Sequence, residues 1–241
     1  MQVDELILWQ DAEVLAINKP AGLPSLPDGY NPNAPHLRGI LTPTCGPLWI
    51  VHRLDRDTSG VILLARSAAA HRSLNTQFEQ HAIQKTYHAI CLGNPNWQEK
   101  TVRMPLRVNV GHRHRTTVDF KNGKPAVTRF EVIKRYPACT LLAAHPETGR
   151  THQIRAHLYA LGLPLAADEL YGGGECLEIA PGEAVMTRMA LHAHHLTFTH
   201  PSSGQSMTLT ANYPVDFASA LETLDTQPAG DAQARRPQPP Q

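Results

Sequence analysis

His52-Arg53-Leu54-Asp55-Arg56-Asp57-Thr58-Ser59-Gly60 is the stretch of this 241-residue chain on which the reading turns. Two apolar runs flank it, Leu48-Trp49-Ile50-Val51 and Val61-Ile62-Leu63-Leu64-Ala65, each of strand length and bounded by turn residues. The pattern predicts two strands joined by a polar connection. Such a connection is ordinarily a surface hairpin loop, but two details set this one apart. In extended backbone Arg53 and Asp55 face one way and Leu54 the other, so an apolar anchor lies between the two charges. Asp57 to Gly60 then supply turn chemistry expected to fix where the Asp55 carboxylate points.

Size and composition allow one large domain, or two small lobes sharing a core. Hydrophobic residues make up 41% of the chain, yet no apolar run approaches the ~18 residues that span a bilayer. Met1 to Glu5 carry two acids and no basic or apolar leader pattern, so they do not read as a signal peptide. Cys45, Cys91, Cys139 and Cys176 are scattered, with no C-x-x-C pair. They are expected to be reduced thiols in a cytoplasmic protein.

Net charge is only +1, but it is unevenly distributed. Residues 1–99 carry 7 Lys and Arg against 9 acids, residues 100–155 carry 12 against 3, and residues 156–241 carry 3 against 9. A basic block between acidic flanks is the footprint of a polyanion-binding face, although solvated strand faces would give the same count.

Leu6–Trp9 and Val14–Ile17 read as strands, the second running into Asn18-Lys19-Pro20-Ala21-Gly22, where proline and glycine stop pairing. Residues 24–47, rich in proline, glycine and asparagine, are expected to form a long loop. Ser67 is a candidate N-cap for a helix carrying Ala70, Leu74 and Phe78 at i+4 spacing to about Gln80. Strands follow over Lys85–Leu92, Val127–Lys134, Thr140–Ala144, Leu191–Thr199 and Met207–Thr210, with loose alternation over 101–120. Thr148-Gly149-Arg150-Thr151 leads into a helix bearing Ile154, Leu158 and Leu161 and stopped by Gly162. The chain is therefore expected to be α+β, with a mixed, largely antiparallel central sheet flanked by a few helices and loops. A single catalytic domain over 1–225 and a disordered Pro/Gln/Ala tail over 226–241 complete the expectation.

The Asp55 segment resembles the catalytic signature of the RluA-type pseudouridine synthases. Asn18-Lys19-Pro20-Ala21-Gly22, Gln84-Lys85-Thr86-Tyr87, Gly123-Lys124-Pro125-Ala126, Thr148-Gly149-Arg150-Thr151-His152-Gln153-Ile154-Arg155-Ala156-His157 and Leu191-His192-Ala193 resemble further motifs of that family, in the family order. The resemblance implies the pseudouridine synthase catalytic fold and the isomerisation of a uridine in tRNA, ribosomal RNA or both. That isomerisation needs no energy source or redox step, so no cofactor is expected, and the histidine spacings lead to no metal. The family often carries an extra N-terminal RNA-binding domain, for which a first strand beginning by Leu6 leaves no room. The chain is thus expected to act as a stand-alone, monomeric, cytoplasmic catalytic domain on an RNA stem-loop, with no membrane partner.

The same resemblance assigns roles. Asp55 occupies the place of the essential aspartate. Attack on the sugar, attack on the base and removal of a sugar proton are all open to it. Arg155 resembles the arginine paired with that aspartate, a role suited to a planar guanidinium fork. Tyr87 matches the tyrosine that stacks on uracil, and Arg53 the residue filling the space left by the flipped nucleotide. Asp57 reads as a turn residue. His52, Lys19, Arg150, Arg113 and Arg115 are expected to contact RNA, chiefly its phosphates. Fourteen histidines invite a metal reading, but no zinc-protease spacing is present. A catalytically silent RNA-binding or RNA-folding factor is the alternative; it would keep the basic block yet have no use for Asp55 and Arg155 together.

Overall fold

In the computed structural model, which describes residues 2–27, 31 and 33–227, the chain divides into two compact units. The first comprises the chain up to Thr86 together with His192–Asn212; the second comprises Tyr87–Leu191 and the chain from Tyr213. Residues 228–241 of the expected tail lie outside the described residues.

In the first unit, β1 (Ile7–Gln10), β2 (Val14–Lys19) and β4 (Ser59–Ala65) lie side by side, with β3 (Trp49–Ile50) also on β4. Strand β13 (Leu191–Thr199) completes the order and carries β14 (Ser206–Thr210). All these pairings are antiparallel except β4 with β13, where Ser59 faces His192 and Gly60 faces Ala193. β4 is buried at every position, as its unbroken apolar run requires of a strand covered on both faces. Helix α2 (Ala68–Glu79) lies against β3 and β4, its N-terminus capped by Ser67 Oγ accepting from Ala70 N at 3.0 Å.

Residues 24–47 are not all loop. Leu37–Cys45 form helix α1, with Leu37, Leu41 and Cys45 buried at four-residue spacing. Pro43 sits inside it and His36 at its N-cap makes no capping bond, so neither usual helix signal marks it.

The second unit orders β5 (Gln84–Leu92), β10 (Cys139–Pro146), β9 (Val127–Arg135) and β6 (Glu99–Arg103), all antiparallel. Phe130, Val132, Leu142 and Ala144 pack there with Ile154 and Leu158 of helix α3 (Gln153–Ala160). Hairpin β7 (Leu106–Val110) with β8 (Arg115–Val118) adds an arm whose β8 meets α3. Hairpin β11 (Leu177–Ala180) with β12 (Glu183–Met186) and helix α4 (Val215–Thr226) were not expected from sequence; α4 lies on β12 and buries Phe217, Ala220 and Leu224. The architecture is α+β and largely antiparallel. Cys45, Cys91 and Cys139 are buried free thiols, and Cys176 is half-buried. No described helix is long and apolar enough to cross a membrane.

Candidate active site

The Asp55 segment connects β3 to β4 in the first unit, and its turn is set two residues earlier than expected. Thr58 N donates to Asp55 O at 3.2 Å, so Asp55 opens the turn while Ser59 and Gly60 already belong to β4. Aspartate is favoured at that opening position. Gly60 has φ +112°, and a Cβ there would fall 2.1 Å from Ala193 O. Only glycine permits this close approach. Beside it, His192 is fully buried, donating from Nε2 to Ala211 O at 3.0 Å while Nδ1 meets Ser59 Oγ at 2.9 Å. Leu54 is buried, Arg53 exposed and Asp55 half-buried, the alternation expected of an apolar anchor between two charges.

The loop after β2 laces this segment down. Lys19 is fully buried, and its Nζ donates to Pro20 O and Leu23 O at 2.8 Å and to Arg56 O at 3.0 Å. Ser25 Oγ donates to Leu54 O and accepts from Leu54 N, both at 3.2 Å, and Arg56 Nε donates to Gly22 O at 3.1 Å. The phosphate-contact expectation for Lys19 is therefore corrected. An ammonium taken out of water must find acceptors, and here it finds carbonyls on both loops. Lys19→Met should cost about 3 kcal/mol, because charge-assisted hydrogen bonds disappear and buried carbonyls lose their donor. A denaturant midpoint unchanged from wild type would refute that clamp.

His52 acts as a hydrogen-bonding support of the same segment. Its Nε2 accepts from Leu63 N at 2.9 Å, so that nitrogen carries no proton, and its ring stacks on Phe78 with centroids 4.6 Å apart. Burial, reinforced by the nearby Lys85 ammonium, pushes its pKa down to about 3. The unfolded chain would protonate His52 near 6.5 while the folded chain resists. The stability it contributes is thus complete above pH 6.5 and lost as pH falls from there toward about 3. Melting curves between pH 7 and 5 should therefore fall less steeply for His52→Gln than for wild type.

In the second unit, Arg155 is buried on α3 and forks onto Asp168, Nε to Oδ2 at 2.7 Å and Nη2 to Oδ1 at 2.8 Å. This planar, two-bond geometry suits arginine and not lysine. Below the fork lies Tyr171, whose ring centroid is 4.9 Å from the Arg155 guanidinium carbon. Tyr171 Oη accepts from Thr116 N at 2.8 Å and donates to Thr116 O at 3.1 Å, tying the β7–β8 arm to this cluster. Burial raises the pKa of Tyr171, so it stays a neutral phenol. Gly173 closes the turn after Tyr171, where a Cβ would fall 1.7 Å from Leu165 O.

Arg115, half-buried, belongs to the same arm. Its guanidinium lies over both Tyr159 and Tyr171, 4.9 Å from each centroid, and so anchors the arm by cation–π contact. Arg113, in the turn of the arm, is exposed. Arg150 is half-buried, with Nε donating to Pro125 O at 3.1 Å. Tyr87 is half-buried on β5 and packs against the core of the second unit. Asp168, Tyr171 and Ser25 were not singled out from the sequence. Only the glycine run Gly172-Gly173-Gly174 after Tyr171 hinted at a tight turn there. Among the described residues, no three His, Cys, Asp or Glu side chains converge as a metal site.

Comparison with known proteins fits this arrangement. The profile of the family described as RNA pseudouridylate synthase matches residues 13–160, a span that holds Lys19, Asp55, Tyr87 and Arg155. Ribosomal large subunit pseudouridine synthase C of Salmonella typhi is 38% identical over 224 residues, covering 91% of this chain and 70% of that protein. Its namesake in Escherichia coli (strain K12) is 39% identical with the same coverage. The solved structure of human RNA Pseudouridylate Synthase Domain Containing 4 superposes with a TM-score of 0.76 at 25% identity, covering 92% of this chain and 94% of that one. With the matched profile spanning more than half of its length, the chain belongs to the RNA pseudouridylate synthase family.

Proposed function

We propose that this isomerase acts on a uridine of large-subunit ribosomal RNA, with Asp55 as its catalytic carboxylate. The observation that carries the proposal is the Asp55 loop, fixed by Lys19, Ser25 and its own Thr58 turn in a chain of this family. The named relatives act on the large ribosomal subunit, which supports that RNA over tRNA.

The reaction breaks N1–C1′ and joins C5 to C1′. The C5 hydrogen leaves as a proton and N1 gains one, so the change is an isomerisation without redox balance to settle. Cleaving a glycosidic bond develops positive charge at C1′, which a fixed carboxylate stabilises. Hydrolytic glycosidases need a second carboxyl group to protonate a leaving group or activate water; here the base is retained and no water is added. A uridine stacked in RNA must first leave the stack, at a cost of a few kcal/mol. Exposed Arg53, two residues before Asp55, fits the role of occupying the vacated space. We assign Tyr87 to stacking on the freed base, Arg155 to electrostatic support of the reacting carboxylate, and Arg113 and Arg150 to phosphates. The enzyme would work as a monomer in the cytoplasm.

Pseudouridine mapping of total RNA from cells with and without the gene tests this reading. Loss of one or a few sites in large-subunit ribosomal RNA is the expected result. An unchanged map would favour a silent RNA-binding factor, and loss confined to tRNA would move the substrate.

A further inference from the structure

Between Lys100 and Lys124 the chain carries seven Lys and Arg and one acid, Asp119. That acid is used internally. Its Oδ1 accepts from Lys121 N at 2.9 Å and Asn122 N at 2.8 Å, and its Oδ2 lies 3.6 Å from Arg107 Nη1. Asp119 N donates to Pro105 O, Gly123 N donates to Asp119 O, and Leu106 and Lys124 exchange two backbone bonds, all at 2.9 Å. A Cβ on Gly123 would fall 2.3 Å from Asp119 O, so the turn admits no looser packing there. On this rigid turn sits Phe120, 78% exposed. Holding a phenyl ring in water on a pre-ordered backbone forgoes the burial that such a ring ordinarily gains, and nothing in the turn needs its bulk.

We propose that Phe120 is a stacking platform for an unpaired nucleobase of the substrate RNA, with Lys121 and Lys124 beside it for the flanking phosphates. This rests on the RNA-modifying reading above and deepens it, assigning a contact outside the catalytic loop. The chemistry of the patch selects the ligand. A flat apolar face among cations, with the local acid neutralised, matches a base attached to a phosphate chain, whose π-face any aromatic ring can accept. A purely apolar protein partner would gain nothing from the cations, and within a folded duplex no base face is free.

The test uses the full chain and two fluorescein-labelled RNAs, a hairpin with an unpaired loop and a blunt duplex with the same stem. Phe120→Ala should weaken hairpin binding about 5- to 100-fold and leave duplex binding unchanged. The slope of log affinity against log salt should stay at its wild-type value, because stacking releases no counterions, whereas Lys121→Ala should flatten it by about one phosphate's worth. Phe120→Trp should restore hairpin affinity, with its indole fluorescence quenched on binding; Phe120→Leu should not restore it. The ring is exposed, so all variants should melt with wild type. Wild-type hairpin affinity in Phe120→Ala, equal losses on hairpin and duplex, or full rescue by Phe120→Leu would each overturn the stacking assignment. Pseudouridine formation by wild-type enzyme, measured in parallel, keeps the two readings apart. Its absence would count against the proposed function, while its presence with an indifferent Phe120 would count against this inference alone.

Discussion

Asp55→Asn is expected to lower pseudouridine formation by a factor on the order of 10^3 or more while leaving the fold and RNA affinity near wild type. The reasoning is local. Amide and carboxylate have nearly the same shape, and the hydrogen bonds from Ser25, Lys19 and Thr58 that fix the segment run through its backbone: Leu54 N and O to Ser25, Arg56 O to Lys19, and Asp55 O to Thr58 N. None of these depends on the charge of the side chain. Affinity for RNA comes chiefly from phosphate neutralisation, which the substitution does not touch. The substitution should therefore separate chemistry from folding and binding. Asp57→Asn, changing a carboxylate two residues away on the same turn, should retain most activity; equal loss in both variants would mean that the segment tolerates no change and that Asp55 has no special role.

Arg155→Ala should have the largest effect on stability. It leaves Asp168, 2% exposed, as a buried carboxylate without its guanidinium, a situation that costs about 3–5 kcal/mol. For a chain of this size that corresponds to a fall of roughly 6–20 °C in melting temperature. Arg155→Lys should recover only part of it, because a point charge replaces two parallel bonds. The double variant Arg155→Met with Asp168→Leu removes both charges and should melt well above Arg155→Ala, since an apolar pair can substitute for a buried ion pair. Activity decides between roles. If the double variant regains stability but not turnover, Arg155 serves the reaction as well as the fold; if both return, Arg155 is a structural residue only.

What the sequence disclosed, and what it hid, follows from how far each interaction reaches along the chain. β4 was legible because five of its seven buried positions, Val61 to Ala65, form an unbroken apolar run, and α2 because its cap, Ser67, is adjacent to the helix it starts. Helix α1 was hidden by Pro43 and by a bare N-cap, with only the Leu37/Leu41/Cys45 stripe to betray it. Lys19 read as a phosphate contact because a lysine beside Pro20 and Gly22 is ordinarily exposed; one of the carbonyls that hold it buried is that of Arg56, 37 residues away. Arg155 read as a guanidinium fork onto a carboxylate, which it is, but the fork closes on Asp168, 13 residues on, beyond the Gly162 stop, at no helical spacing. Arg115 shows the same limit: a cation in a basic block gives no sign that Tyr159 of α3 and Tyr171 beyond it will both present their rings to it. The catalytic candidates were recognisable as residue types in motifs, whereas the residues that hold them in place were not.

The most direct measurement follows the hydrogen that the reaction must release. Joining C5 to C1′ expels the C5 hydrogen to solvent, so large-subunit ribosomal RNA labelled with tritium at uridine C5 reports each turnover as tritiated water. The purified enzyme should release tritium in a small whole number of equivalents per RNA, and Asp55→Asn should release none above background while still binding that RNA. Release by Asp55→Asn at the wild-type rate would contradict the account.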